Sequence, residues 1–382
     1  MKILMISSKD GYGLYSHTSN LIRELSKMPG IDLHVVNIVD DAAQESKTQR
    51  SGRYTSHYVT YSNSRFGFVR GLVNISNIRK KILDVSPDIV HVQSVGYTIL
   101  ASLLLKRKYP IVCTVHSLVA RDYKMAEWAG FLEHINRKIM AFLENTIILR
   151  SLTDVIVVSP KMRELIEDKS NAKMYIIPNG IDPQEVRDIA PRSVKHPSVL
   201  YVGRLTKRKG IDVLLKAMPE IIRSIPQTSL LVLGTGPQED ELRRLVDDVG
   251  MGKNVNLLGF ISGGEKYAYY KSADVCVVPS IDYDYAPIVL SEAMFCGKPI
   301  VASGVGGIPQ IVDDKKTGLL VKPNDVDELA DRIIVLLRDK KLRDRMGEAG
   351  RKKMMNFTWD RIASKTIGVY GKVIEDYESR KN

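Results

Sequence analysis

The chain has 382 residues, of which 44% are hydrophobic and 26% charged, with a formal net charge of +12. That length and balance suffice for sizeable cores and exceed one ordinary domain, so two domains are expected and neither disorder nor a repeat is indicated. Residues 1–195 carry 27 Lys and Arg against 19 Asp and Glu, and residues 196–382 carry 29 against 25. The more basic first half suits anionic lipid, an acidic substrate or a merely solvated surface.

The N-terminal "KILMIS" is too short an apolar run for a signal peptide and reads as a first buried strand. After it, "SSKDGYGLYSHTSNLIREL" predicts a loop at Gly11 and Gly13 and then a helix. The Gly-x-Gly lacks the third glycine of the dinucleotide fingerprint. "DLHVVNI" is the next strand, and "RFGFVRGLVNISNIRKK" (65–81) predicts a helix with five basic residues and no acid. In that helix Phe66, Phe68, Val69, Leu72, Val73, Ile75 and Ile78 would serve either the domain's own sheet or a lipid surface. "DIVHVQ", "IVCTVH", "DVIVVS" and "KMYIIP" continue the strands of a parallel α/β domain. The apolar run "YTILASLLL" (97–105) falls well short of the roughly 20 residues of a membrane-spanning helix. His116 ends one strand, a ligand-side position in this architecture, although a lone histidine is also a common structural residue. Cys113, Cys276 and Cys296 sit far apart in apolar segments, against a disulfide framework or zinc site and in keeping with a reducing cytoplasm.

The pattern halts at the proline-rich 178–197 and restarts with "SVLYVGR", "SLLVLG", "NVNLLGF", "DVCVVPS" and "PIVAS", placing the hinge between a first domain at 1–190 and a second at 191–359. Two such domains would present the C-terminal ends of their strands to one cleft. Past "VLYVG", Gly203 eases a turn, and Arg204 and Lys209 stand where a guanidinium fork and an ammonium can hold a diphosphate; a wet basic loop is the alternative. Gly234 and Gly236 permit close backbone approach, more often a tight turn than a nucleotide cradle. In "DYDYAPIVLSE", Asp282 and Asp284 have the Asp-x-Asp spacing of a metal site, but two carboxylates supply too few hard ligands. Pro287 is read as the first helical residue, with Glu292 in the helix and Asp284 before it. Both acids could accept hydrogen bonds from sugar or ribose hydroxyls, and an N-cap is the alternative for Asp284. Gly304, Gly306 and Gly307 could turn amides toward an anion. The tail "FTWDRIASKTIGVYGKVIEDY" predicts an amphipathic helix, which from about 360 to 382 could pack back on the first domain.

Taken in order, "VGRLTKRKGIDVLLKA", "PSIDYDYAPIVLSEAMFCGKPIVASGVGGIPQIV", "TGLLVKPND", "IPNGID" and "FTWDRIA" resemble the retaining glycosyltransferases of family 4, across nearly the whole chain. The resemblance implies the GT-B architecture: α/β, two Rossmann-like doubly wound domains facing a central cleft, the first binding the acceptor and the second a nucleotide-sugar donor. It implies that Arg204 and Lys209 bind the donor diphosphate and that Asp284 and Glu292 fill the two acidic positions of a Glu-x7-Glu motif, toward the transferred sugar and the ribose. It places His116 near that sugar, Gly11 and Gly13 near the phosphates, and Gly203, Gly234, Gly236, Tyr285, Ala286, Pro287, Ile288 and Val289 around the donor. Two departures stand out: Asp284 has one methylene less than the usual Glu, and Gln310 replaces the Glu of "GGxPE".

The implied activity is metal-independent, retaining transfer of a sugar from a UDP- or GDP-sugar to a sugar, lipid-linked or small-molecule acceptor, in glycolipid, cell-surface polysaccharide or glycan synthesis. No cofactor and no nucleic acid are expected, and the oligomeric state is not specified. The expected place is the cytoplasm, with peripheral binding to the anionic inner face of the cell membrane through residues 65–81. A nucleotide-sugar epimerase or hydrolase on the same architecture, or an inactive nucleotide-sugar-binding module, is the alternative.

Overall fold

A computed structural model describes residues 1–8, 12–39, 48–60, 67–94, 97–118 and 131–381. The chain forms two compact units, Met1–Pro178 with Trp359–Asn382, and Asn179–Thr358.

In the first unit the strands are β1 (Lys2–Ser8), β2 (Asp32–Val39), β3 (Thr48–Ser51), β4 (Tyr54–Thr60), β5 (Ile89–Val92), β6 (Ile111–Val115), β7 (Asp154–Val157) and β8 (Lys173–Ile176). They line up as β3-β4-β2-β1-β5-β6-β7-β8. Every pairing is parallel except the β3–β4 hairpin at the edge. The hairpin is absent from the sequence reading: "YTSHYVT" has little apolar content, and its turn depends on Gly52, held at φ 63°. Helix α1 (Tyr12–Leu25) and the C-terminal helix Trp359–Ser379 cover one face. Leu21, Ile22 and Leu25 of α1 meet Trp359, Ile362, Tyr370 and Val373 of that helix over Ile3, Met5, Leu33 and Val35. β5, β6 and β7 are buried along their whole length, as strands of a parallel sheet covered on both faces are. Helix α2 (Gly67–Val85) follows β4 and buries Ile78, Ile82 and Val85.

The second unit holds β9 (Ser198–Val202), β10 (Ser229–Leu233), β11 (Val255–Leu257), β12 (Val275–Val278), β13 (Ile300–Ser303) and β14 (Gly318–Val321) in a parallel sheet, order β11-β10-β9-β12-β13-β14. The chain winds outward from β9 through β10 to β11, then returns to lay β12 on the other side of β9. That reversal is the switch point at which doubly wound sheets bind ligands.

The break between units falls at Pro178 rather than at 190. Residues 179–190 join the second unit because Ile181 and Val186 pack into its core with Tyr267 and Tyr270, and the Ile181 N–H donates to Phe357 O at 2.9 Å. Cys113 and Cys276 are buried, Cys296 is half-buried, and all three are free thiols. Among the described residues, no helix is long and apolar enough to cross a membrane.

Candidate active site

In the second unit the sequence candidates gather at the C-terminal ends of β9, β10, β12 and β13. After β9, Gly203 donates its N–H to Leu233 O at 2.9 Å and Leu205 to Thr235 O at 3.0 Å, tying the β9 and β10 loops together. That contact is what the Gly-x-Gly serves. A Cβ on Gly234, at φ 151°, would fall 1.8 Å from Gly203 O, and one on Gly236 would fall 2.3 Å from Leu205 O. Arg204 lies on this joined loop with its side chain exposed, and its guanidinium has no hydrogen bond or ion pair among the described residues. Its backbone is fixed instead, the Tyr201 hydroxyl donating to Arg204 O at 2.9 Å. Lys207–Lys209 form a single 3₁₀ turn that closes on Gly210 at φ 66° before the helix Ile211–Ser224.

Lys209 and Asp284 meet directly. Lys209 Nζ donates to Asp284 Oδ2 at 2.6 Å, and Ser280 Oγ donates to the same oxygen at 2.8 Å. Asp284 is 7% exposed. Gly307 N–H donates to Asp284 O at 2.8 Å, and Gly306, at φ 58°, brings the β13 loop so close that a Cβ would sit 2.4 Å from that oxygen. Asp284 Oδ1 has no hydrogen-bond partner among the described residues. Asp284 does not cap the helix Ile288–Phe295, whose N-cap is Pro287 in extended conformation, one position before the helix start and not within it. Asp282 is half-buried, and its Oδ1 accepts the Tyr283 N–H at 2.7 Å.

Glu292 is already partnered. Lys266 Nζ donates to Oε1 at 2.5 Å and the Tyr270 hydroxyl to Oε2 at 3.0 Å. Burial, and then the Glu292 charge, push the Tyr270 phenol well above its ordinary pKa and keep it a donor. Each carboxylate oxygen retains a second lone pair, so a ribose hydroxyl could still be accepted. Lys266 and Tyr270 escaped the sequence reading; one turn apart on the helix Gly263–Ser272, their spacing is the only signal. Asn179 was likewise missed, and its Nδ2 donates to Ala286 O at 3.0 Å, bracing the loop on which buried Tyr285 stacks against Tyr283. Ile288 and Val289 are half-buried in the first helical turn.

In the first unit, Gly11 lies outside the described residues and Gly13 is inside α1. His116 follows β6, and its Nε2 lies 3.1 Å from Gln93 Oε1. His17 of α1 stands edge-on to His116 and to Trp359, ring centroids 4.5 Å and 5.0 Å apart. Below them His91 is wholly buried, its Nδ1 2.6 Å from the Tyr370 hydroxyl and its Nε2 2.7 Å from Thr114 Oγ1. Burial first, then His17 and His91, hold His116 well below the ordinary histidine pKa. His17, His91 and Gln93 lie in different segments, and nothing in the sequence signals that they meet.

Two doubly wound units, with basic, acidic and glycine-rich loops at the switch point of the second, have the parts of the GT-B fold. A model described as "Glycosyl transferases group 1" matches residues 182–353, and one described as "Glycosyltransferase Family 4" matches residues 13–185. The chain is 30% identical over 301 residues to the phosphatidyl-myo-inositol mannosyltransferase of Mycobacterium leprae, covering 77% of this chain and 76% of that one. It is 34% identical over 210 residues to a GDP-mannose-dependent alpha-(1-6)-phosphatidylinositol monomannoside mannosyltransferase of Mycobacterium tuberculosis, covering 51% of this chain and 54% of that one. Among solved structures, the sucrose-phosphate synthase of Thermosynechococcus elongatus superposes with a TM-score of 0.82 at 25% identity, over 98% of this chain and 100% of that one. The chain belongs to glycosyltransferase family 4.

Proposed function

We propose that this glycosyltransferase moves a hexose from a nucleotide diphosphate sugar, with GDP-mannose the leading donor, to a lipid-linked polyol at an anionic membrane surface, with retention and without a metal. The observation that carries the reading is the Lys209–Asp284 pair beside exposed Arg204 at the switch point. The named mannosyltransferase relatives support the donor and the acceptor class. Arg204 and Lys209 bind the diphosphate and stabilise the charge that grows on it as the bond to the sugar's anomeric carbon breaks. The departing phosphate oxygen takes the proton of the acceptor hydroxyl, whose oxygen bonds the anomeric carbon on the same face. Asp284 has two jobs: Oδ2 aims Lys209, and Oδ1 accepts a sugar hydroxyl. With Oδ2 on Lys209 and Ser280, and Asp282 on the Tyr283 amide, the two aspartates are engaged by protein donors. That engagement supports the metal-free reading.

A panel of GDP-, UDP- and ADP-sugars tests the donor: a ligand at 100 times its Kd adds about 2.7 kcal/mol, read as a rise in melting temperature. GDP-mannose should give the largest rise and an axially linked product by NMR. An inverted product, or activity lost in EDTA and restored by magnesium or manganese, would refute the mechanism.

A further inference from the structure

Gln93 ends "DIVHVQ", fully buried just past β5, where an apolar side chain would be the simpler choice. The orientation of its amide follows from its surroundings. Nε2 lies 3.8 Å from Met5 Sδ, and a thioether only accepts, so the NH₂ end faces Met5 and the oxygen faces His116. An amide oxygen cannot donate; the hydrogen in the 3.1 Å contact therefore belongs to His116 Nε2. In a neutral imidazole the other nitrogen is then an acceptor. The titratable groups facing His116 are His17 and His91, and Gln93 itself carries no charge.

We infer that Gln93 is a positioning residue for the transfer reaction: it holds His116 as the Nε2–H tautomer, so that His116 meets a substrate hydroxyl through Nδ1 as a hydrogen-bond acceptor. The inference rests on the place beside the transferred sugar that the family resemblance implies for His116. Gln93 is itself braced. Its Nε2 lies 3.2 Å from His91 Nε2, and His91 is pinned by Thr114 of β6 and by Tyr370 of the C-terminal helix. The His17 ring packs edge-on against both His116 and Trp359. The helix Trp359–Ser379 thus meets the neighbours of His116 through the Tyr370 hydroxyl on His91 and the Trp359 indole on His17. His116 kept neutral by burial supplies no proton in this scheme; it orients a hydroxyl.

The test is imidazole NMR on the full chain with ¹⁵N-labelled histidine, His116 being assigned through His116→Gln. Wild type should show one Nε2–H tautomer that stays neutral at a pH where an ordinary histidine charges. Gln93→Leu should populate both tautomers and lower kcat by up to about 100-fold, the scale of a misplaced contact, with donor KM little changed. Gln93→Glu, whose carboxylate also accepts from Nε2–H, should keep the tautomer, raise the pH at which His116 charges, and recover part of kcat. A wild-type His116 found as Nδ1–H or charged at neutral pH, or a Gln93→Leu spectrum identical to wild type, would overturn the assignment. The spectra need no substrate. A wild-type chain inert toward every donor therefore strikes the glycosyl-transfer reading, while the tautomer decides Gln93 separately.

Discussion

Arg204 and Lys209 illustrate how two residues with one proposed ligand can differ in everything else. Arg204 is exposed and unpaired among the described residues, whereas Lys209 sits in a nearly buried pair with Asp284. Alanine at either position should lower turnover on the order of 100-fold, the scale for removing one stabiliser of transition-state charge. Only Lys209→Ala should also lower the melting temperature, because it strands the Asp284 carboxylate without its cation. Parallel rate and melting measurements separate the two effects, and a folded Arg204→Ala enzyme of normal rate would remove Arg204 from the site. Asp284, one methylene shorter than the Glu that the family resemblance implies, is held through Oδ2 by Lys209 and Ser280.

Elements show where local pattern was sufficient and where it was not. Strands buried on both faces are unbroken apolar runs and were plain to read, as was the helix Trp359–Ser379. The β3–β4 hairpin was not, since an edge hairpin needs neither apolar density nor alternation strong enough to stand out. Gly234 could not be understood from its own neighbourhood, because what forbids a side chain there is Gly203 O on another loop. Gly234→Ala should lower the melting transition by more than about 1 kcal/mol equivalent, whereas Gly252→Ala, with nothing within 4 Å, should stay within about 0.5. Equal shifts in thermal melts would undo the close-approach argument. Helix α2 divides its labour: Ile78 and Ile82 are consumed by the unit's own core, while Arg79 and Lys80 are exposed. Residues 65 and 66 lie outside the described residues, and the side chains of 67–74 carry no assignment. Peripheral binding to anionic vesicles should weaken in Arg79→Glu with Lys80→Glu and in high salt, since surface charge is screened over about 8–10 Å. Co-sedimentation with anionic and neutral vesicles checks it, and wild-type protein left in the supernatant throughout would favour a soluble acceptor.

At the scale of the whole molecule, the buried histidines tie stability to pH. Burial, with His17 second, lowers the His91 pKa to about 3, and burial, with His34 second, lowers that of His57 to about 4. Between those values and the ordinary 6.5 the unfolded chain binds more protons than the folded one. Stability therefore rises with pH through that window and is lost as pH falls below about 6.5, by at most about 1.4 kcal/mol per pH unit for each such histidine. His91→Gln should flatten the dependence by one such increment, as measured by denaturant midpoints at several pH values; an unchanged slope would mean that His91 is already charged. The sequence by itself determined the α/β class, the two-unit plan, the succession of buried strands and the positions of Arg204, Lys209, Asp284, Glu292 and His116 at strand ends or in the turns and helix that follow. All of these follow from local composition and period. Tertiary structure decided which of them are partnered: Lys209 with Asp284, Glu292 with Lys266 and Tyr270, His116 with Gln93 and His17. It also assigned residues 179–190 to the second unit. Such partners lie tens to hundreds of residues apart, and a hydrogen bond between them depends on how sheets and helices stack, which no local periodicity encodes.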